Sequence, residues 1–125
     1  MKTIFLIDDD HDDAGLFREA VNEIDPGLEV KHFENVPDAL KALQLNTRHP
    51  HFIFLDINLP IVNGWQFLKQ LKEDFRFAAI PVIIYSTSSQ LKEKEIANEL
   101  GAVGFITKPN DYQEIKQELS TYLLN

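Results

Sequence analysis

The chain has 125 residues, 44% of them hydrophobic, which is enough for one domain with a real core and rules out global disorder. Its 12 basic and 20 acidic residues give a net charge of −8, which argues against nucleic acid as a direct partner, because binding a phosphate backbone requires basic patches. The absence of cysteine excludes a disulfide scaffold and a thiolate metal site.

Five short apolar runs predict five strands. The runs at 4–7, 52–55 and 82–85 are almost continuously apolar, as expected for strands that are covered on both faces. The run at 28–33 alternates between apolar and polar residues and predicts an edge strand, and a fifth run covers 103–106. Buried runs of this length, with helical segments between them, indicate a parallel sheet.

Five amphipathic segments, one after each run, predict five helices. Their apolar positions are, in chain order, Leu16, Phe17, Ala20, Val21 and Ile24; Val36, Ala39, Leu40 and Leu43; Phe67, Leu68 and Leu71; Leu91, Ile96 and Leu100; and Ile115, Leu119, Tyr122 and Leu123. Pro26 and Gly27 end the first helix, and Gly101 ends the fourth. Strict alternation predicts right-handed crossovers and a doubly wound, three-layer α/β sandwich with five parallel strands.

No targeting or membrane segment is visible in the sequence. The first apolar run, at 4–7, ends in aspartates and is too short for a secretory signal. No stretch approaches the roughly 20 apolar residues that a spanning helix needs. We therefore expect a cytoplasmic protein without a membrane partner.

Polar side chains follow four of the five predicted strands. Asp8 and Asp9 follow the first strand, Asp56 the third, Ser86 the fourth and Lys108 the fifth. In a doubly wound sheet, ligands bind beyond the carboxyl ends of the strands, at the topological switch point. We therefore expect these groups to converge, and three carboxylates at one place suit a hard cation such as Mg²⁺ or Mn²⁺.

The aspartate-rich turn after the first strand has a second interpretation as a helix cap. Aspartate is favoured near helix N-termini, so capping and a role at the site remain open alternatives for Asp10, Asp12 and Asp13. For Asp8 and Asp9, a role in metal binding is the favoured interpretation. The reason is that Asp56 also follows a buried strand, on a different part of the chain.

The same residue types suit phosphoryl transfer. A carboxylate can act as a nucleophile and form an aspartyl-phosphate, and the transfer needs charge neutralisation by a metal and a cation. Asp56 would be the nucleophile, and Lys108 is either the neutralising cation or a solvated loop charge. The hydroxyl of Ser86 is either a helix cap or a hydrogen-bond donor to the transferred group.

Other chemistries lack their motifs. The sequence contains no Walker-type glycine-rich loop and no G-x-S-x-G elbow, so nucleotide hydrolysis and serine hydrolysis are disfavoured. His11, His32, His49 and His51 do not have the spacing of a zinc site, and we expect them to be surface or loop residues.

Four segments together resemble the bacterial response-regulator receiver domain, the phosphoacceptor module of two-component signalling. They are Ile7-Asp8-Asp9-Asp10 and the segments 55–64, 81–86 and 101–109. The resemblance covers essentially the whole chain, 1–125, and implies a flavodoxin-like (βα)5 fold with strand order 2-1-3-4-5, as in chemotaxis regulators. Thr87-Ser88-Ser89 is similar to phytochrome-associated single-domain regulators.

The resemblance assigns the acceptor and the metal ligands. Asp56 matches the phosphorylated aspartate, and Asp8 and Asp9 match the acidic pair that binds Mg²⁺ or Mn²⁺. Asn58 would offer its backbone carbonyl to the same ion. Lys108 matches the lysine that contacts the phosphoryl group.

The resemblance also assigns a switch. Ser86 matches the switch hydroxyl, and Phe105 matches the aromatic residue that turns inward when the hydroxyl moves. It further implies a cis Lys108–Pro109 bond. These changes would alter the face made by the fourth helix, fifth strand and fifth helix, residues 88–124.

The partners follow from the resemblance and from the chain length. A sensor histidine kinase or a histidine phosphotransfer protein would be the phosphodonor. After Lys108 only 17 residues remain, so we expect no output domain, and signalling through an unknown downstream protein, a phosphorelay or a homodimer on the face at 88–124. We expect a signalling protein and not an enzyme. The alternatives are a degenerate receiver that acts as a scaffold, and a small metal-dependent phosphatase with Asp56 as its nucleophile.

Overall fold

The computed structural model describes residues 2–45 and 48–124. Within these ranges five strands and five helices alternate as predicted. The strands are β1 (Lys2–Ile7), β2 (Leu28–Phe33), β3 (Phe52–Leu55), β4 (Val82–Ser86) and β5 (Gly104–Thr107), and the helices are α1 (His11–Ile24), α2 (Val36–Leu45), α3 (Gly64–Glu73), α4 (Leu91–Glu99) and α5 (Tyr112–Leu123). None of these helices has the length and apolar composition needed to cross a bilayer.

The strands form one parallel sheet in the order β2-β1-β3-β4-β5, which confirms the predicted doubly wound topology. Every residue of β4 is buried, as its continuous apolar run predicted. β2 lies at an edge of the sheet, and burial alternates along most of it. The chain leaves β1 for β2 on one side and returns to β3 on the other, so the topological switch point lies at the carboxyl ends of β1 and β3.

Two apolar clusters cover the two faces of the sheet. Leu6 of β1 and Phe54 of β3 pack with α1 and α5 on one face. The next residues along these strands, Ile7 and Leu55, pack with α2 and α3 on the other face. This arrangement follows from strand geometry, in which successive side chains point to opposite faces. Both central strands are therefore held between two layers of helices, with their carboxyl ends side by side.

The apolar face predicted for the fourth helix is partly wrong. Leu91, at the start of α4, is 70% exposed, and the buried residue of this helix is Ala97. Leu91 and Ile96 are five residues apart, which places them about 140° apart around the helix, so they do not share a face. Leu16 of α1 is likewise 41% exposed. The apolar contact that attaches α4 to the sheet is small as a result.

Two backbone features after α4 and β5 bear on the sequence predictions. Gly101 has a φ of 99°, the left-handed conformation of a glycine that ends a helix, as predicted. The Lys108–Pro109 bond is trans, because the described chain contains no cis peptide bond, and the cis bond implied by the resemblance is therefore wrong here. Trans is the ordinary state of an X–Pro bond, favoured by about 0.5–1 kcal/mol.

Ile61 lies in a strained turn between β3 and α3. Its φ is 70°, and the N–H of Val62 donates to the carbonyl of Pro60 at 2.8 Å, which closes a three-residue turn around it. A sparsely populated conformation of this kind costs a β-branched residue about 1–3 kcal/mol. The residue is 80% exposed, so no apolar burial in the core offsets this cost.

We expect Ile61→Gly to raise the free energy of unfolding by about 1 kcal/mol, since glycine adopts positive φ freely and loses only part of this gain to its flexible unfolded state. Urea unfolding measures the difference. Ile61→Val keeps the β-branch and is the matched control, with wild-type stability expected. A glycine variant that is less stable than the wild type would show that the turn is not strained.

Candidate metal site at the carboxyl edge of the sheet

Two neighbouring strands bring three predicted carboxylates together. The N–H of Asp56 donates to the carbonyl of Ile7 at 3.0 Å, and the N–H of Asp8 donates to the carbonyl of Phe33 at 2.9 Å, so the strand pairing continues into the acidic segments. Asp8, Asp9 and Asp56 each offer a carboxylate oxygen, and these oxygens lie within 4.8 Å of one another. The structure therefore has the predicted convergence of these three carboxylates at the topological switch point.

Two of these carboxylates are buried. Asp8 is fully buried and Asp56 is 7% exposed, whereas Asp9 lies at the surface. Asp8 Oδ1 accepts the N–H of Asp10 at 2.9 Å, and Asp56 Oδ1 accepts the N–H of Ile57 at 2.7 Å. Burial raises the pKa of Asp8 and outweighs the lowering effect of its contacts with the Lys108 ammonium and the Asp10 N–H.

Lys108 lies inside this acidic cluster. Its Nζ is 2.8 Å from Asp8 Oδ2, 2.9 Å from Asp13 Oδ2 and 3.2 Å from Asp56 Oδ2, and its side chain is 7% exposed. Burial lowers the pKa of Lys108, but the contacts with Asp8 and Asp13 outweigh this effect and raise it above its ordinary value. The side chain is therefore a protonated, largely buried cation, and the interpretation as a solvated loop charge is wrong.

Asp13 is the residue at this site whose role the sequence left open. Its carboxylate is a partner of the Lys108 ammonium, while Asp10 is the N-cap of α1 and accepts the N–H groups of Asp12 and Asp13. One signal in the sequence could have separated these aspartates. Asp13 stands four residues before the apolar Phe17, which places both on the same face of the helix.

The position of His32 beside the acidic segment was not predicted from the sequence. The ring Nε2 of His32 lies 2.6 Å from the backbone carbonyl oxygen of Asp8, to which it donates. The prediction of a surface or loop position is correct for His11, His49 and His51, which lie at the start of α1 or before β3. His32 differs because β2 pairs with β1 and lies next to the acidic segment.

The predicted switch residues lie on β4 and β5. Ser86 is fully buried and ends β4, and the N-cap of α4 is Gln90, so the interpretation of Ser86 as a helix cap is wrong. Phe105 is half-buried on β5, with the ammonium of Lys94 of α4 at 5.9 Å from its ring centroid. Asn58 is exposed in the loop after β3. The roles that the resemblance gives to these residues remain predictions.

The residues present fit a hard divalent cation. The ligand atoms are all carboxylate oxygens, the type that Mg²⁺ and Mn²⁺ prefer. The buried Asp8 Oδ2 is close to Lys108 but has no well-aligned hydrogen-bond donor. Gly64 lets the start of α3 pack closely against the backbone of Asp56, because a Cβ at this position would lie 2.2 Å from the carbonyl oxygen of Asp56.

Comparison with known proteins points to one family. The family model described as the response regulator receiver domain matches residues 4–120. Protein-glutamate methylesterase/protein-glutamine glutaminase 2 of Saccharophagus degradans is 38% identical over 111 residues, which are 83% of this chain. The chain spans 30% of the length of that relative.

Two solved structures are similar over nearly the whole chain. The phosphorylated cyanobacterial phytochrome response regulator RcpA is 29% identical, with a TM-score of 0.88 over 98% of this chain and 94% of that one. The Mn²⁺-bound form of response regulator Rcp1 is 25% identical, with a TM-score of 0.88 over 98% of this chain and 95% of that one. The resemblance to phytochrome-associated regulators is therefore confirmed.

Proposed function

The chain belongs to the response regulator receiver domain family, and we propose that it accepts a phosphoryl group on Asp56 from a sensor histidine kinase or a histidine phosphotransfer protein. The observation that carries this proposal is the contact between the carboxylate cluster and Lys108. Its Nζ lies 3.2 Å from Asp56 Oδ2, inside a cluster whose other members are Asp8 and Asp9. A nucleophile, a cation and a metal-binding carboxylate pair thus stand together.

The transfer forms one bond and breaks another. A carboxylate oxygen of Asp56 attacks the phosphorus of the donor phosphohistidine, so an O–P bond forms and the P–N bond breaks. The electron pair of the broken bond stays with the ring nitrogen of the donor. The Lys108 ammonium lies 3.2 Å from Asp56 Oδ2, where it would offset the negative charge of the acceptor during the transfer.

Charge neutralisation is the main task of the surrounding residues. An incoming phosphoryl group adds negative charge to a site where Asp8, Asp9 and Asp56 already repel one another. A divalent cation bound at the cluster would neutralise this charge and bind phosphoryl oxygens. Lys108 supplies the second cation, and the N–H of Ile57 holds Asp56 Oδ1 in place.

The switch extends the proposal to a signalling surface. The N–H of Lys108 donates to the carbonyl of Ser86 at 2.6 Å, so the cation at the site and the buried hydroxyl belong to one pair of hydrogen-bonded strands. Movement of Ser86 toward the phosphoryl group would alter the packing of Phe105 between α4 and α5. The small apolar contact of α4 makes this helix the element that moves at least cost.

We place the contact with a downstream protein, a phosphorelay partner or a second copy on the face at 88–124. The alternatives raised from the sequence gain no support. A degenerate receiver would lack part of the cluster, whereas Asp8, Asp9, Asp56 and Lys108 are all present and in contact range. No observation favours a phosphatase. The lack of an output domain and the cytoplasmic location remain predictions.

We expect acetyl phosphate with Mg²⁺ to add one phosphoryl group to the wild-type protein and none to Asp56→Asn, because an amide is not a nucleophile. Chelation of the metal should abolish the addition to the wild type. Intact-mass spectrometry measures both, and Asp38→Asn, an exposed aspartate at the start of α2, is the control that should be phosphorylated like the wild type. Full phosphorylation of Asp56→Asn, or of the wild type without metal, would refute the proposal.

We also expect beryllofluoride with Mg²⁺, a phosphoryl mimic, to shift the amide resonances of α4, β5 and α5, because Ser86 and Phe105 couple the site to this face. Ser86→Ala should remove most of these shifts and leave those around Asp56. Thr3→Ala, which removes a hydroxyl from β1 outside this face, is the control with wild-type shifts. Shifts confined to α1 and β2 would reject the switch.

A further inference from the structure

The Lys108 ammonium has one partner that its part in phosphoryl transfer does not require. An ammonium has three N–H donors, and this one contacts three carboxylates. Two of them, Asp8 and Asp56, belong to the cluster that would hold the metal. The third, Asp13, comes from the first turn of α1 and bonds Lys108 at 2.9 Å, a shorter contact than the 3.2 Å to Asp56.

The hydrophobic core fixes Asp13 in this position. Phe17, one helical turn later on α1, is fully buried. Its ring lies 5.0 Å from that of Phe54 and 5.4 Å from that of Tyr85, both in T-shaped contacts. Because residues four apart share a helix face, this packing sets the rotation of α1 that directs Asp13 toward Lys108. A carboxylate that only stabilised the helix N-terminus would not need this direction.

The ring of Tyr85 lies beside the Lys108 ammonium. Lys108 Nζ lies 5.6 Å from the centroid of this ring, within the range of a cation–π contact. Burial raises the pKa of Tyr85 to about 12, so its phenol is neutral at physiological pH. The ammonium is therefore in contact with three carboxylates and within 5.6 Å of one aromatic ring centroid.

We propose that Asp13 is a positioning residue that draws the Lys108 ammonium away from Asp56 and so keeps Asp56 Oδ2 available to a divalent cation. This inference rests on the proposed function, because it concerns metal binding at the same site. Without the Asp13 charge, Lys108 would pair more closely with Asp56 and compete with the metal for its oxygen. The negative charge of Asp13 also attracts the metal directly, so both effects act in the same direction.

The test compares two aspartates in the same helical turn. Asp13→Asn and Asp12→Asn change the net charge and the helix N-terminus equally, but Asp12 is exposed and is not among the ion-pair partners of Lys108. Mg²⁺ is titrated at fixed ionic strength while the fluorescence of Trp65 in α3 is followed. We expect Asp13→Asn to bind Mg²⁺ roughly threefold to tenfold more weakly than the wild type. Asp12→Asn should bind like the wild type, and Asp13→Glu should recover part of the affinity.

A second readout needs no metal. In ¹H–¹⁵N spectra of the metal-free protein, the Lys108 ammonium signal should have the same shift in the wild type and in Asp12→Asn, and a changed shift in Asp13→Asn, because its pairing moves toward Asp56. Wild-type Mg²⁺ affinity of Asp13→Asn, or an unchanged Lys108 signal, would overturn the positioning role. If the Lys108 signal responds while Asp56 accepts no phosphoryl group, the proposed function fails and the role of Asp13 stands.

Discussion

The contact of one buried ammonium with the carboxylates at the edge of the sheet is the interaction on which this site depends. Asp8 and Asp56 are buried close together, and like charges in such surroundings repel strongly. Lys108 is the cation that makes this arrangement tolerable, and it contacts residues that follow β1 and β3 and a residue of α1. Its own position is fixed because β5 pairs with β4. One side chain thus connects the sheet with the helix layer that contains α1 at this edge.

The same interaction explains how chemistry at Asp56 can reach the surface. The cluster contains more carboxylates than ammonium groups. A divalent cation would supply the positive charge that is missing. Phosphorylation would change the acceptor oxygens around Lys108, whose backbone N–H donates to Ser86 at the end of β4. Under the proposed switch, a change at the ammonium would reach the β4–β5 pair and α4, the helix with the smallest buried face among those described. In this proposal the site and the signalling surface would change together, as two states of one packed unit.

Most of the fold and the centre of the site could be predicted from the sequence. Continuous apolar runs reveal buried parallel strands, and the rule that ligands lie beyond strand ends selects Asp8, Asp9, Asp56 and Lys108 without coordinates. The contact of Lys108 with Asp13 was not predicted, because the rotation of α1 depends on how Phe17 packs against Phe54 and Tyr85. The apolar positions of α4 were likewise misleading, since their spacing does not follow one helix face.

The most direct test of this account is the free energy of unfolding of Lys108→Met with and without Mg²⁺. Removing the ammonium leaves buried carboxylates unpaired, so we expect a loss of about 3 kcal/mol without metal and recovery of much of it with Mg²⁺. Lys116→Met is the matched control, because it breaks a surface ion pair with Glu23 and should cost at most about 1 kcal/mol. A Lys108→Met variant as stable as the wild type without metal would contradict the account.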